Sequence, residues 1–183
     1  MKHLIGALVT LAFLLGATTR AFPQDRKKGG STDLREKNIQ TILDIFRMIE
    51  DRDPQKPNPQ RQLELVNTNV EFHWPASLPY GGSSRGIAPL PDRPSWGAVW
   101  TPLQPTRAER RMDPRVVAAN DDEVVVLYHQ RGLSAAGDRY DGEVLGLYQL
   151  REGKLARAQM FYFDEAGATE FLARAKSQLS RSK

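Results

Sequence analysis

Three side chains in this sequence have the chemistry and the local setting for proton transfer: Asp164, Tyr80 and His73. Asp164 directly follows the aromatic string 161–163, and a carboxylate among apolar groups has its pKa raised toward the range of a general acid or base. Tyr80 precedes a glycine-rich loop, where its hydroxyl could donate a hydrogen bond to a carbonyl or enolate oxygen. Both also have a purely structural interpretation, because Asp164 could cap the helix that follows it and Tyr80 could be a half-buried turn residue.

His73 lies in a segment of alternating polarity, Asn69–Trp74, which predicts a β-strand. The apolar residues of this strand fall on one face, and His73 falls on the other with Glu71. If the apolar face lines the core, His73 points toward a sheet edge or a dimer contact, unless Pro75 or a bulge redirects the strand end. Tyr80 is therefore a better candidate than His73 for contact with a ligand.

The connection from Gly81 to Pro105 carries two tryptophans, which a solvated loop would not hold. Trp96 and Trp100 are four residues apart, and we predict a short helix over Ser95–Trp100 that puts both rings on one face. The rings could pack in the core or at a dimer contact, or they could form a stacking wall for a flat ligand. Both are candidate ligand contacts.

The predicted strands carry further candidate contacts. Residues 123–133 predict a strand with two apolar faces, which is therefore covered on both sides. Tyr128 and His129 lie on opposite faces, and the sequence does not determine which of them points into a pocket. Tyr162 and Met160 on the last strand complete the set of candidate ligand contacts.

Other kinds of site lack the residues that they need. A zinc site takes three or four ligands of matched spacing, but the sequence has no cysteine, and only His73 and His129 follow the N-terminal segment. The loop Gly81–Ser84 lacks the lysine and the helix spacing of a phosphate-binding loop. We therefore predict no metal site and no cofactor.

The N-terminus predicts export. Lys2 precedes the apolar run Leu4–Leu15, and Thr19–Ala21 offers small residues at a cleavage site. The run is shorter than the roughly 20 residues that cross a bilayer, so we predict no stable membrane span once residues 1–21 are removed, although an uncleaved anchor is the alternative. Residues 22–31 predict a flexible leader. Without cysteine, the exported domain needs a core that is stable without disulfides.

The charge balance argues against a nucleic-acid partner. The chain has 26 Lys+Arg and 22 Asp+Glu, but loss of Lys2 and Arg20 with the signal peptide lowers the net charge from +4 to +2. The remaining arginines are interleaved with acids and form no basic face in the sequence. We predict a periplasmic or secreted protein that does not bind nucleic acid.

The rest of the chain predicts one α+β domain over residues 32–180. Apolar residues recur at helical spacing from Ile39 to Ile49, and a short helix is expected at residues 61–67 after a proline-rich loop. A closing helix is predicted at Ala166–Leu179. Strands are predicted at Asn69–Trp74, Arg107–Met112, Arg115–Ala119, Glu123–Leu133, Tyr140–Arg151 and Leu155–Phe163. Helices first and consecutive antiparallel strands later are typical of the α+β class.

The order of several strings resembles the SnoaL-like branch of the nuclear transport factor 2-like (ketosteroid isomerase-like) superfamily. The strings are EDRD at 50–53, NVEFHWP at 69–75, the glycines and arginine of 81–86, DDEVVVLYHQRG at 121–132 and GKLARAQMFYFDEA at 153–166. The resemblance implies a cone-shaped, curved antiparallel sheet wrapped around the N-terminal helix, with an apolar pocket inside. It also implies dimerisation, so we expect a homodimer.

Two departures from the family pattern bear on function. Met160 and Phe161 stand where many relatives have a charged pair, which implies a more apolar pocket wall, and residues 89–105 are unusually rich in proline and tryptophan. We expect a protein that binds a small, mostly apolar molecule. The first alternative is an isomerase, dehydratase or hydrolase using a carboxylate and a tyrosine; the second is a non-catalytic dimerisation or protein-interaction module. The sequence does not decide whether the chain is an enzyme.

Overall fold

The computed structural model describes residues 31–53, 58–88 and 90–181. The predicted signal peptide 1–21 and the leader up to residue 30 lie outside the described residues, and Ser31 already belongs to the first helix. The helices are α1 (Ser31–Glu50), α2 (Pro59–Leu65), α3 (Trp96–Trp100), α4 (Arg107–Arg110) and α5 (Glu165–Arg181). In the described part of the chain, no helix is long and apolar enough to cross a membrane.

A curved, unclosed sheet of six strands faces α1. The strands are β1 (Val66–Trp74), β2 (Gly82–Arg85), β3 (Arg115–Ala119), β4 (Glu123–Leu133), β5 (Arg139–Arg151) and β6 (Lys154–Tyr162). Their order across the sheet is β2-β1-β6-β5-β4-β3. Neighbouring strands are antiparallel except β1 and β6, which run parallel. The predicted α+β fold with a curved sheet around an N-terminal helix is confirmed, and the sheet is mixed where a purely antiparallel one was expected.

The core lies between α1 and the inner face of the sheet. The α1 side chains Ile42 and Phe46 are buried, and the Phe46 ring meets Tyr128 of β4 and Tyr148 of β5 edge-on, with centroids 5.0 and 6.0 Å apart. Every second residue of β4 and β5 is buried, as period-two alternation requires for strands with one face on a core. Phe171 of α5 stacks on Trp100 and Tyr140, with ring centroids 6.1 and 5.5 Å apart.

Two local predictions are wrong. Residues 107–112 were expected to form a strand, but Arg107–Arg110 form α4, because Thr106 and Glu109 make a reciprocal capping box that satisfies the first backbone N–H groups of a helix. Residues 82–85 were expected to be loop, but they form β2, which pairs with the outer edge of β1. Short edge strands of polar residues carry little periodicity, so the sequence pattern does not reveal them.

Candidate functional site

A cavity of about 360 Å³ lies between α1, the inner face of the sheet and the segment 86–97. Its wall combines aliphatic residues of α1 with inward-facing residues of β1, β4, β5 and β6. The residues that line it include Ile45, Phe46, Met48, Ile49, Phe72, Trp74, Tyr80, Trp96, Met112, Tyr128, Tyr148, Leu155, Ala158 and Met160. A cavity of this size and apolar character is typical of a small-molecule site.

Tyr80 is held in the wall by two hydrogen bonds. Its hydroxyl accepts the indole N–H of the fully buried Trp100 at 2.8 Å and lies 2.9 Å from the Tyr162 hydroxyl. The tight turn after β1 places Tyr80 there, with the Gly81 N–H donating to the Leu78 carbonyl at 2.8 Å. A Cβ at Gly81 would approach the Pro75 carbonyl oxygen to 2.3 Å, so this turn needs glycine.

Two further phenols, Tyr128 and Tyr148, contribute polar groups to the cavity wall. Burial raises the pKa of both hydroxyls well above the ordinary tyrosine value. Burial likewise raises the pKa of Tyr80, although its hydrogen bonds to Tyr162 and Trp100 oppose this rise. The phenols of the cavity are therefore neutral at physiological pH, and they can donate or accept hydrogen bonds without adding charge.

An aromatic wall forms one side of the cavity. The Trp74 and Trp96 rings are nearly parallel, with centroids 6.5 Å apart and planes 11° from each other, and the Phe72 and Trp74 rings lie 6.4 Å apart at 15°. Trp96 is fixed by a 3.2 Å hydrogen bond from its indole N–H to the side-chain oxygen of buried Gln130. Extended parallel aromatic surface favours a flat apolar ligand.

Acidic and basic groups are missing from the described part of this wall. No Asp, Glu, His, Lys or Arg is among the described residues that line the cavity. Its polar groups are the phenols together with Gln62, Ser84 and Ser95. A substrate in the cavity would meet no carboxylate or imidazole of these residues to accept a proton.

The structure places Asp164 outside this cavity. Its side chain is exposed at the start of α5, where Oδ1 accepts the Gly167 N–H at 2.9 Å. A Cβ at Gly167 would come within 2.0 Å of Asp164 Oδ2, so the small residue allows the close approach of the carboxylate. The carboxylate therefore caps α5, which is one of the two roles that the sequence allowed for Asp164.

Both candidate histidines face away from the cavity. His73 Nδ1 lies 2.9 Å from the hydroxyl of its cross-strand partner Ser83, and Nε2 lies 3.6 Å from Glu71. His129 Nδ1 lies 2.6 Å from Asp141 Oδ1 on the outer face of the sheet. The choice that the sequence left open on β4 is resolved, because Tyr128, not His129, lines the cavity.

The remaining predicted contacts divide into two groups. Trp96 and Met160 line the cavity directly, as Tyr128 does. Trp100 and Tyr162 lie behind the wall and act through their hydrogen bonds to Tyr80. Phe161 was expected to make the pocket wall more apolar, but it is 44% exposed on the opposite face of β6. Strand alternation explains the difference, since neighbouring residues point to opposite faces.

Several wall residues were not identified as ligand contacts from the sequence. Phe72, Trp74 and Tyr148 line the cavity, as do the α1 side chains Met48 and Ile49. Phe72 and Trp74 were assigned to the correct apolar face of their strand, and that face could have identified them. Tyr148 lies on a strand with apolar residues on both faces, so its direction depends on the pairing of β5 with β4 and β6.

Solved structures share this fold. A SnoaL-like polyketide cyclase from Jannaschia sp. CCS1 superposes with a TM-score of 0.53 at 19% identity, covering 80% of this chain and 95% of that one. An NTF2-like protein of unknown function from Burkholderia pseudomallei gives 0.51 at 16%, covering 76% and 96%. TerC, crystallised with polyporic acid, gives 0.53 at 20%, covering 73% and 98%. The chain therefore has the NTF2-like fold, and the resemblance to the SnoaL-like branch is confirmed at the level of the fold.

No protein-family model matches the sequence, and no curated protein matches it. The fold defines only the class, a cone with an internal cavity. The function depends on the residues that line this cavity.

Proposed function

We propose that this chain is an exported protein that binds a small, mostly apolar molecule in the tyrosine-lined cavity. The observation that carries the proposal is the composition of the wall. Aliphatic and aromatic side chains surround about 360 Å³, and the polar residues among them, including Tyr80, Tyr128 and Tyr148, carry no charge. Such a wall favours an uncharged, flat molecular body carrying a few oxygen atoms.

Binding is favoured over catalysis by the same wall. Proton-transfer isomerisation, dehydration and hydrolysis all need a base or an activated water at the substrate. The described wall offers only phenols whose pKa is raised by burial, and Asp164 caps α5 elsewhere. Tyr80 could polarise a carbonyl group of a bound molecule, but polarisation alone does not remove a proton.

The names of two structures with this fold are consistent with a small-molecule site. One is described as a SnoaL-like polyketide cyclase and another was crystallised with polyporic acid. Both are about 20% identical to this chain, so the likeness is one of fold. The cavity of this chain carries the proposal.

Two further parts of the proposal concern location and assembly. We infer export from residues 1–21, because the apolar run Leu4–Leu15 is typical of a signal peptide. Homodimerisation is supported by Phe161 on the outer face of β6, which is 44% exposed, and by Phe163 in the turn that follows, which is 64% exposed. Neighbouring large apolar side chains that are exposed are typical of a surface that a partner covers.

A pair of alanines on β6 allows a matched test. Ala158 is buried and lines the cavity, whereas Ala156 lies in a polar groove outside it. We expect the neutral fluorophore phenylnaphthylamine to bind the wild-type chain with one-to-one stoichiometry. Ala158→Leu should weaken binding by about tenfold or more, because the added side-chain atoms would occupy part of the cavity, whereas Ala156→Leu should bind like the wild type.

The ligand itself can be sought in the protein as it is made. Native mass spectrometry of the chain purified from an exporting host should show a mass increment that organic extraction removes. Equal loss of fluorophore binding in both alanine variants, or no binding by the wild type, would contradict the proposed cavity site.

A further inference from the structure

Arg52, just beyond the end of α1, is a partly buried cation beside the cavity. Its guanidinium carbon lies 5.8 Å from the centroid of the Trp96 ring, and Trp96 lines the cavity. Arg52 Nη2 donates a 2.7 Å hydrogen bond to Gln104 Oε1. Gln104 is buried and donates its own amide N–H to the Arg131 carbonyl at 2.9 Å, so its oxygen is oriented toward Arg52.

This cation has no carboxylate partner among the described residues. Arg52 Nε is buried without an acceptor, and the neighbouring charge that acts on it is another cation, Arg110. Arg110 in turn donates to backbone carbonyls, including that of Glu50 at 3.0 Å. Burial and, to a smaller extent, the Arg110 charge lower the pKa of Arg52. Three aspartates, Asp44, Asp51 and Asp53, line the surface cleft that contains Arg52; Asp44 pairs with Arg47 and Arg61, and Asp51 pairs with Arg107 at 3.2 Å.

The other arginines of the same surface cleft differ from Arg52. Arg47 pairs with Asp44, and Arg61 contacts both Asp44, at 3.1 Å, and Glu64, at 3.0 Å. Their charges are balanced within the protein. A buried cation without a counter-charge is destabilising, and an anionic group placed against it would relieve that cost.

The cleft that contains Arg52 adjoins the cavity. Met48 borders both spaces, and Trp96 contacts Arg52 while forming part of the cavity wall. A molecule whose apolar body fills the cavity could therefore extend a substituent past Met48 or Trp96 to the guanidinium. The Nη groups at the outer end of the guanidinium would supply a charge-assisted hydrogen bond to such a substituent.

We propose that the ligand of this cavity is an amphiphile whose anionic oxygen group, a carboxylate, sulfonate or phosphate, binds Arg52. This inference rests on the proposed binding function and adds the class of ligand to it. The apolar wall binds the body of the molecule, and Arg52 selects molecules that carry a negative charge at one end.

Two fluorophores with the same ring skeleton test the charge separately from the cavity. Phenylnaphthylamine is neutral, and anilinonaphthalene sulfonate carries one anionic group. The wild-type chain should bind the sulfonate more tightly by about tenfold, since a hydrogen bond to a charged group contributes about 1.5–3 kcal/mol. Arg52→Gln should abolish this preference while keeping the affinity for the neutral fluorophore, which also shows that the variant is folded.

Arg47→Gln is the matched control, because it removes a cation of the same cleft that already has a partner; its preference for the sulfonate should stay as in the wild type. Equal affinity of the wild type for both fluorophores, or an unchanged preference in Arg52→Gln, would overturn the role of Arg52 and leave the proposed cavity function standing. Binding of neither fluorophore would contradict both.

Discussion

The indole N–H of Trp100 donates a 2.8 Å hydrogen bond to the hydroxyl of Tyr80, and both side chains are buried. This bond ties the turn after β1 to α3, two segments that enclose the cavity from different parts of the chain. The Tyr162 hydroxyl, 2.9 Å from that of Tyr80, extends the connection to the last strand. The cavity wall is thus held by a polar network that also stabilises the fold.

Replacing Tyr80 should therefore cost stability. Tyr80→Phe leaves the buried Trp100 N–H without its acceptor, and an unsatisfied buried donor costs about 1–3 kcal/mol. We expect urea denaturation to show a loss in this range in the free energy of unfolding. Ser84→Ala, which also alters a polar group in the cavity wall, is a control that should change stability much less. Equal stability of Tyr80→Phe and wild type would show that the Trp100 bond is not maintained in solution.

Asp164 should be needed for stability but not for binding. Asp164→Ala removes the acceptor of the Gly167 N–H at the start of α5 and should lower the free energy of unfolding by about 1 kcal/mol. Asp164→Asn keeps a capping oxygen and should be close to wild type. Both variants should bind phenylnaphthylamine normally. Loss of binding in Asp164→Asn at unchanged stability would instead assign the carboxylate a role at the ligand.

Gly132 marks a close approach of β4 to the aromatic layer beneath α5. A Cβ at this position would lie 2.9 Å from ring atoms of both Phe171 and Trp100. Gly132→Ala should therefore destabilise the chain by about 1–3 kcal/mol through overpacking. Gly97→Ala in α3 is the matched control, since its new methyl group would meet only the Ser95 hydroxyl at 4.0 Å. Thermal denaturation of the two variants should separate them clearly.

The outer face of β4 and β5 predicts a pH dependence. Burial raises the pKa of Asp141, but hydrogen bonds from His129 and Arg131 outweigh it and hold this pKa below the ordinary value. A carboxyl whose pKa is lower in the folded chain stabilises the fold above its unfolded pKa, near 4, and this contribution is lost as the pH falls through the lowered value. Arg131→Met should therefore reduce the difference in unfolding free energy between neutral pH and about pH 3. An identical pH profile in both proteins would contradict this.

Homodimerisation predicts a specific effect of charge on the outer sheet face. Phe161→Arg should convert a dimer into a monomer in light scattering, because a charge at an apolar contact cannot be covered without cost. The opposite face of β6 is untouched, so the cavity should still bind the neutral fluorophore. The control is Arg151→Glu, an exposed change at the end of β5. Val99→Arg is not suitable as a control, because Val99 packs against the core. A wild-type chain that is monomeric at high concentration would contradict the proposed assembly.

Much of the fold could be predicted because its strongest signals are local. Alternation in residues 69–74 placed Phe72 and Trp74 on one face and His73 on the other, as the structure shows. The short helix before Trp100 was also predicted. For α4, the signal was present but overlooked, since Thr106 and Glu109 have the spacing of a capping box.

The cavity itself could be predicted only in part, because its residues meet across long stretches of sequence. Tyr128 and His129 lie on a strand that is apolar on both faces, so the sequence does not show which of them points inward. In the folded chain His129 pairs with Asp141 on the outer face, and Tyr128 therefore points inward. Arg52 lies beside the cavity because it contacts Trp96 and Gln104, and these residues approach it only in the folded chain. No local pattern encodes such contacts.

The parallel pairing of β1 with β6 has a consequence for how the chain folds. Phe72 and Ala158 are direct neighbours in this pairing, yet they come from opposite ends of the described domain. A chain synthesised from its N-terminus delivers β6 long after β1, so until then β1 can pair only with β2 and one of its sides stays unpaired. Contacts of such long range also slow folding. The cavity wall is therefore assembled only after β6 is available, and until then the aromatic residues of β1 lack one of their neighbouring strands.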